Sequence, residues 1–288
     1  MAIKKLPAKL ILGKPLAEAM LLDLAKKIKL LPRQPGLATI LIGDDPASRL
    51  YVNQKKKFCQ AIGIEFHEYL SHDGFYPNIS QKELLEMIDW LNKDQTVDAI
   101  IIQLPLPKKF NQDLAIKKLD PAKDADGFHP QNRRKFLTDK NYPVPPLIQA
   151  IKIALTSTGE NLKNKQAVIV ANSSIFSQSL DLALQQLGIK TTTTVPSAKN
   201  LTALTTQADI LISVLGKKYF IKPKMIKPGA IVIDAGTTLV GEKKYYGDVD
   251  PKVATVASYL TPVPGGIGPL TVAALLKNVY QLTKNSKQ

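Results

Sequence analysis

The stretch Val97-Asp98-Ala99-Ile100-Ile101-Ile102-Gln103-Leu104-Pro105-Leu106-Pro107 decides the fold of this chain. Its central apolar run has the length of a strand that is buried on both faces of a parallel sheet, and the two prolines end it. Gln103 then stands at the carboxyl end of the strand, where ligands collect in open parallel sheets. The stretch therefore predicts an α/β fold with an amide side chain at the ligand-binding edge of a sheet.

Alternating helical and strand-like periodicity extends in both directions from this strand, which is typical of parallel α/β folds. Helices are predicted over 15–30, 81–92, 175–187 and 269–282 and around Lys55, and strands over 37–42, 64–69, 166–170, 190–195, 209–214 and 230–234. A proline-rich stretch at 142–146 separates two such series. We therefore predict an N-terminal α/β substrate domain over 1–145, joined by a C-terminal helix at 268–288. A doubly wound Rossmann-type domain is predicted over 146–267.

Lys55 is the strongest catalytic candidate. It lies one helical turn after Tyr51 in Tyr51-Val52-Asn53-Gln54-Lys55-Lys56-Lys57, so an aromatic ring and an amine share one helix face. Burial and positive neighbours both disfavour the charged form of an amine, which would let Lys55 carry protons near neutral pH. The alternative is a solvated basic helix face, and this is the expected role of Lys56 and Lys57.

Two further segments are distinctive. Lys123-Asp124-Ala125-Asp126-Gly127-Phe128 is a polar turn that presents carboxylates, in which Asp124 is expected to cap the turn. The segment from Thr261 to Thr271 contains three prolines and three glycines before Leu270, which predicts a shaped backbone wall rather than a linker.

In this order, the four segments resemble the bifunctional methylenetetrahydrofolate dehydrogenase/methenyltetrahydrofolate cyclohydrolase family, from about residue 9 to residue 282. The resemblance implies a folate-binding catalytic domain and an NAD(P)-binding domain with a cleft between them. It implies that Lys55 moves protons during hydrolysis, that Gln103 holds the Lys55 amine, and that Tyr51 packs beside the substrate. Asp126 would anchor the pterin ring of the tetrahydrofolate substrate. Pro264, Gly265 and Gly266 would bring backbone against the same substrate.

Each of these residues also has a purely structural interpretation. Gln103 would be a strand-end amide that satisfies a loop, Tyr51 a core aromatic, and Asp126 an ordinary turn residue before glycine. Pro264, Gly265 and Gly266 would then form only a rigid entry into the last helix.

The chain departs from the family where the second domain should bind the dinucleotide. Members close its first strand with Gly-x-Ser-x-x-Val-Gly-x-Pro, whereas this chain has Ala171-Asn172-Ser173-Ser174-Ile175-Phe176-Ser177-Gln178-Ser179. Glycine lets backbone approach a pyrophosphate, so side chains at Ala171 and Ser177 are expected to face the phosphate path and weaken NADP binding. Ala171, Asn172, Ser173 and Thr237 remain the candidate cofactor residues, because a helix N-terminus still attracts phosphate. The changes favour the cyclohydrolase activity over the dehydrogenase activity.

Composition narrows the partners. The formal charge of +15 raises nucleic acid as a partner, but the basic residues are scattered and lack interleaved aromatics. A basic entrance for the glutamate tails of folates and a merely solvated basic surface explain the charge about equally well. His67, His72 and His129 lack zinc-ligand spacing, so no metal is expected. Apolar runs are too short to cross a membrane, no signal peptide is evident, and a single cysteine, Cys59, fits a reducing cytoplasm.

Three other functions remain open from sequence alone. The chain could be a monofunctional cyclohydrolase whose second domain is structural. It could be a noncatalytic folate-binding paralogue, or a nucleic-acid-binding protein suggested by charge alone. The family resemblance further implies a homodimer.

Overall fold

The computed structural model describes residues 7–43, 45–71, 79–138, 144–241 and 244–285. The chain divides into two compact units, of which the first comprises Glu18–Pro146 and Val272–Gln288 and the second comprises Met1–Ala17 and Leu147–Thr271. The start of the chain thus groups with the second unit, whereas the sequence suggested the first domain. The reason is that β1 (Lys9–Leu10) pairs in parallel with β11 (Tyr259–Leu260), and two residues are too few to show a periodicity. Tyr142 and Pro143 of the predicted domain passage lie outside the described residues.

The first unit is built on three parallel strands, β2 (Gly36–Ile42), β3 (Glu65–Ser71) and β4 (Ala99–Ile102), in the order β3-β2-β4. All residues of β2 and β4 are buried, as expected for strands covered on both faces. The helices that contribute to this unit are α1 (Gly13–Ile28), α2 (Pro46–Ile62), α3 (Gln81–Lys93), α4 (Gln112–Lys118), α5 (Pro130–Thr138) and the last helix, α9 (Ile267–Asn285). The helices predicted around Lys55 and over 81–92 correspond to α2 and α3.

The local sequence defines both ends of α2, which carries Lys55. The Asp45 carboxylate accepts hydrogen bonds from the backbone N–H and the hydroxyl of Ser48, at 2.8 and 2.7 Å, and so caps the first turn. Gly63 ends the helix with a φ of 83°, a conformation that side chains disfavour. Only a short connection separates β2 from α2, so the helix begins at the carboxyl edge of the sheet.

The chain returns to this edge after α4. A 3₁₀ helix, Pro121–Lys123, leads into an isolated parallel bridge between Asp124 and Ile100 of β4. The Ala125 N–H donates to the Ile100 carbonyl at 3.3 Å. Since Gln103 directly follows β4, the bridge holds the turn at 124–129 beside the strand that delivers Gln103.

The second unit contains a six-stranded parallel sheet in the order β1-β11-β8-β7-β5-β6. Its remaining elements are β5 (Gln166–Ala171), β6 (Lys190–Thr194), β7 (Ile210–Val214), β8 (Ile231–Asp234), the hairpin β9 (Thr238–Val240) and β10 (Lys244–Tyr246), α6 (Pro146–Thr156), α7 (Ser174–Gln185), α8 (Leu201–Thr205), and 3₁₀ helices at Pro223–Met225 and Pro251–Thr255. From β5 the chain first adds β6 on one side and then β7 on the other. The strand order therefore reverses at β5, and dinucleotides bind at such a switch point.

Candidate active site

Lys55 lies on α2 with its amine directed at the end of β4. Lys55 Nζ donates a hydrogen bond to Gln103 Oε1 at 2.9 Å. Burial lowers the pKa of Lys55, while the nearby Asp126 carboxylate opposes that shift. The amine thus meets a neutral acceptor in a desolvated site, which favours its neutral form.

Only one of the two expected causes of this pKa shift acts on Lys55. Positive neighbours are not among the causes that act on Lys55, and burial supplies the lowering. Lys56 Nζ instead pairs with Glu68 Oε2 at 3.0 Å, and Lys57 is exposed. Successive helix positions are about 100° apart, so the three amines diverge despite their adjacency in sequence.

Gln103 has a fixed orientation. Its backbone N–H donates to the Ile40 carbonyl of β2 at 2.8 Å, and its side-chain Nε2 donates to the Leu104 carbonyl at 3.1 Å. Because the amide nitrogen is occupied by that carbonyl, the amide oxygen faces Lys55. The strand end that the apolar run predicted therefore presents an acceptor without a negative charge.

Asp126 lies at the apex of the turn beside β4. Burial raises the pKa of its carboxyl to about 6, Lys55 opposes the rise, and the negative charge of Asp124 adds to it. Lys55 and Asp126 therefore interact electrostatically, as a shared site requires. Tyr51 lies four residues before Lys55 on α2 and is half-buried.

Asn278, a polar residue that holds the turn at 124–129, was not among the residues predicted from the sequence. Asn278 of α9 is fully buried, and its Nδ2 donates to the carbonyls of Ala125 and Val144, at 2.9 Å each. Its one signal in the sequence is an amide within an otherwise apolar helix face. Polar groups in such positions are usually paired with backbone or other side chains.

The candidate dinucleotide residues lie at the switch point of the second unit. Asn172 follows β5, and its Nδ2 donates at 2.9 Å to the carbonyl of Leu215, which follows β7. Asn172 thus joins the two loops that border the crevice. Ser173 caps α7 by accepting from the Phe176 N–H at 3.3 Å, and Thr237 is exposed after β8.

Ala171 and Ser177 do not face a solvent-accessible phosphate path. Ala171 is 2% exposed and Ser177 is 6% exposed. The Ser177 hydroxyl donates to the Ser173 carbonyl at 2.9 Å inside the helix. The expectation that these side chains obstruct the pyrophosphate is therefore wrong, because both pack inward. The residues exposed at the start of α7 are Asn172, Ser173, Ser174 and Ile175.

Buried carboxylates fix the backbone near Thr237. Asp234 accepts from the N–H groups of Gly236, Asp248 and Val249 at 2.8–3.1 Å. Asp248 in turn accepts from the Ser213 hydroxyl at 2.8 Å and from the Leu215 and Lys217 N–H groups at 2.7 Å. Burial raises the pKa of Asp234 to about 7. The carboxylates hold together the loops that follow β7 and β8.

The loop at Pro264, Gly265 and Gly266 is packed so closely that glycine is required. A Cβ at Gly266 would lie 2.6 Å from the Pro262 carbonyl oxygen, and Gly265 has a φ of 104°. The Gly13 N–H donates to the Gly265 carbonyl at 2.8 Å. The loop is therefore a rigid backbone surface, as its composition predicted.

Within the described residues, no group of three or more His, Cys, Asp or Glu side chains could hold a metal ion. His72 of the expected non-ligand histidines lies outside those residues. Among the helices that the structure describes, none is both long and apolar enough to cross a membrane.

Comparisons with known proteins assign the family. A model of the tetrahydrofolate dehydrogenase/cyclohydrolase catalytic domain matches residues 11–126, and a model of the NAD(P)-binding domain of the same family matches residues 145–287. The bifunctional protein FolD of Acetivibrio thermocellus is 40% identical over 281 residues, which cover 96% of this chain and 97% of that protein. The bifunctional protein FolD of Geotalea daltonii is 38% identical over 281 residues, with coverage of 96% and 99%.

Solved structures agree. The bifunctional enzyme FolD, a methylenetetrahydrofolate dehydrogenase/cyclohydrolase from Campylobacter jejuni, matches with a TM-score of 0.91 and 35% identity over 97% of this chain and 99% of that one. The Trypanosoma brucei enzyme complexed with NADP and an inhibitor matches with a TM-score of 0.91 and 31% identity, over 98% and 99%. The chain therefore belongs to the tetrahydrofolate dehydrogenase/cyclohydrolase family, as its four ordered segments predicted.

Proposed function

We propose that this chain is a bifunctional enzyme of one-carbon folate metabolism. It hydrolyses 5,10-methenyltetrahydrofolate to 10-formyltetrahydrofolate, and it oxidises 5,10-methylenetetrahydrofolate to the methenyl form with NADP. The observation that carries the proposal is the 2.9 Å hydrogen bond from Lys55 to Gln103, at a site where burial lowers the pKa of the lysine. The bifunctional relatives at about 40% identity support the same pair of activities.

Hydrolysis needs a group that takes a proton and later returns it. Neutral Lys55 accepts a proton from water as the oxygen bonds to the bridging carbon of the methenyl cation. The amine then returns that proton to N5 as the bond between carbon and N5 breaks, and the remaining hydroxyl proton leaves to solvent as the formyl group forms. Gln103 holds the amine through a neutral amide. A negative charge in its place would stabilise the ammonium form, and Lys55 could then no longer act as a base.

Two residues position the substrate in this proposal. Ionised Asp126 accepts paired hydrogen bonds from the pterin ring N–H and the exocyclic amine. Tyr51, one helical turn from Lys55, packs its ring beside the substrate.

NADP fits the switch point of the second unit. Asn172, Ser173 and Ser174 are exposed at the start of a 12-residue helix, where N–H groups and the helix dipole favour phosphate. Ala171 ends the strand behind them, and Thr237 lies on the neighbouring loop. Bound NADP would supply the hydride acceptor for oxidation of the methylene carbon of the substrate. The roles of the protein residues are to bind the phosphates and to keep the bordering loops in place.

Replacement of Lys55 by Met tests the proposal. The change keeps most of the side-chain volume and removes the proton carrier, so hydrolysis should fall by about 10²–10⁴-fold. The decay of methenyl absorbance in a buffer of low reactivity measures it. Lys57→Met is the matched control, because Lys57 is exposed on the same helix. A Lys55→Met protein within a few-fold of the parent would exclude the role of Lys55.

The proposal includes a homodimer in the cytoplasm with neither nucleic acid nor membrane as partner. Several lysines are already paired with acidic side chains, including Lys27 with Asp23, Lys56 with Glu68 and Lys118 with Asp89, which argues against an open phosphate-binding surface. Light scattering that returns the 31.6 kDa of one chain would contradict the dimer.

A further inference from the structure

Asp124 is a buried carboxylate at the base of the turn that carries Asp126. Its side chain is only 1% exposed. It accepts three hydrogen bonds: from the Gly127 N–H at 3.0 Å, from the His129 N–H at 2.7 Å and from Asn132 Nδ2 at 3.0 Å. The turn at 124–129 therefore closes around the carboxylate of its own first residue.

The backbone before Asp126 is held separately from both sides. The Ala125 N–H donates to the Ile100 carbonyl of β4, and the Ala125 carbonyl accepts from Asn278 of α9. The Asp124 carboxylate supplies the matching attachment after Asp126. Gly127 adopts a φ of 70° there, and its N–H points back to Asp124. Asp126 thus lies between two fixed stretches of backbone.

Asn132 connects this arrangement to α5. Its Nδ2 donates to the Asp124 carboxylate and, at 2.8 Å, to the carbonyl of Pro121. The amide therefore ties the 3₁₀ helix before the turn to the helix after it. Every hydrogen bond described for the Asp124 carboxylate comes from an N–H donor, so an amide in its place would set its own N–H groups against donors.

We infer that Asp124 is a positioning residue for substrate binding, because its carboxylate fixes the backbone that aims Asp126. The inference rests on the proposed function, in which Asp126 binds the pterin. It adds that Asp124, whose carboxylate binds the turn and Asn132, sets the affinity for folate through Asp126.

The charge of Asp124 should also affect the pH dependence of substrate binding, which a loss of stability alone would not change. The charged groups that face Asp126 are Lys55 from α2 and Asp124 from the turn itself. The Asp124 charge raises the pKa of Asp126 and Lys55 lowers it. Removal of the Asp124 charge should therefore move the acidic limb of substrate binding to lower pH.

The test compares Asp124→Asn with Asp126→Ala and with a matched control, Asp120→Asn. Asp120 caps the preceding 3₁₀ helix through the Ala122 N–H at 2.8 Å, and no hydrogen bond described for it reaches the turn at 124–129. Calorimetry with 5-formyltetrahydrofolate gives Kd from pH 5 to 8, and hydrolysis assays give KM and kcat. We expect Asp124→Asn to raise Kd and KM by about tenfold, with a smaller change in kcat. Asp120→Asn should stay within about twofold of the parent.

The outcomes separate the two claims. Unchanged affinity in Asp126→Ala contradicts the proposed role of Asp126. A loss of affinity in Asp126→Ala, with Kd and the acidic limb unchanged in Asp124→Asn, overturns the inference alone, even if the melting temperature of Asp124→Asn falls. If Asp124→Asn does not fold, Asn132→Ala removes one donor and keeps the carboxylate. It should raise Kd by about threefold, and an unchanged Kd there overturns the inference as well.

Discussion

The ionisable side chains of Lys55 and Asp126 are both shifted towards their neutral forms. Burial lowers the pKa of the amine and raises that of the carboxyl to about 6, while the attraction between the two charges opposes each shift. Desolvation therefore outweighs the attraction within this pair. The consequence is an amine whose neutral form is favoured by burial, beside a carboxyl group that ionises just below neutral pH.

This balance predicts how folate affinity depends on pH. Asp126 accepts the pterin hydrogen bonds only when it is ionised, so affinity for 5-formyltetrahydrofolate should be full above about pH 7 and should fall as the pH drops through 6. Calorimetric titration across pH 5 to 8 measures it. The Asp126→Asn protein experiences the same ionisations of the ligand and should show no such fall. A parent curve as flat as that of the variant would contradict the prediction.

Site residues that a local sequence pattern marks were predictable. A residue that reaches the site only through a contact between distant segments was not. Lys55, Gln103 and Asp126 stood out because a helix face, a strand end and a turn each marked one of them. Asn278 holds the Asp126 turn from a helix more than 130 residues away in sequence. The spacing of residues within one segment carries no information about such a contact.

At the scale of elements, the loops after β7 and β8 are held by two aspartates that each occupy the space beside a glycine. A Cβ at Gly236 would overlap the Asp248 carboxyl, and a Cβ at Gly247 would overlap the Asp234 carboxyl. Because both carboxylates also accept backbone hydrogen bonds, neither can move aside without losing partners.

Gly236→Ala should therefore destabilise the second unit by about 3 kcal/mol or more, because the overlap and the broken hydrogen bonds add. Thermal unfolding followed by circular dichroism measures the change. Gly268→Ala in α9 is the control. A Cβ there meets nothing within 4 Å, and alanine in a helix is favoured over glycine by up to about 1 kcal/mol. Equal melting temperatures for the two variants would show that the loops relax around the added methyl group.

Most of the longer elements were predictable, whereas the helices α4, α5 and α6 and the shortest strands were not. The helix expected over 81–92 spans Gln81–Lys93, and the strand expected over 209–214 spans Ile210–Val214. No periodicity in the sequence indicated β1 or β11, each of two residues, or the three-residue strands of the β9–β10 hairpin. Their pairing depends on partners that other segments supply, so a short window of sequence cannot show it.

At the scale of the whole molecule, the two activities are assigned to different units. The polar residues proposed for hydrolysis, Lys55, Gln103 and Asp126, belong to the first unit, and Asn172 and Ser173 belong to the second. Replacements at the switch point should therefore change NADP binding without changing hydrolysis of the methenyl substrate.

The buried positions of Ala171 and Ser177 predict the result of restoring glycine to the turn. The Ala171→Gly, Ser177→Gly double variant should bind NADP within about twofold of the parent and melt earlier, since glycine within a helix costs about 1 kcal/mol. Calorimetric titration with NADP and with NAD measures binding. Asn172→Ala, which breaks the bond to Leu215, should weaken NADP binding instead. Tighter NADP binding by the double variant would contradict this prediction and would show that the side chains of Ala171 and Ser177 obstruct the phosphates.

Cys59 lies one helical turn after Lys55, and the rate at which its thiol is alkylated can report local unfolding of α2. Its thiol is fully buried, and burial raises its pKa to about 12. Alkylating reagents attack the thiolate, so the reaction must wait for the helix to unfold locally. Cys59 is the only cysteine of the chain, so the rate of alkylation of the protein measures how often α2 unfolds locally. A folate that binds against Lys55 should lower the alkylation rate of Cys59 as its occupancy rises. The alkylation rate would then report ligand binding without any catalytic turnover.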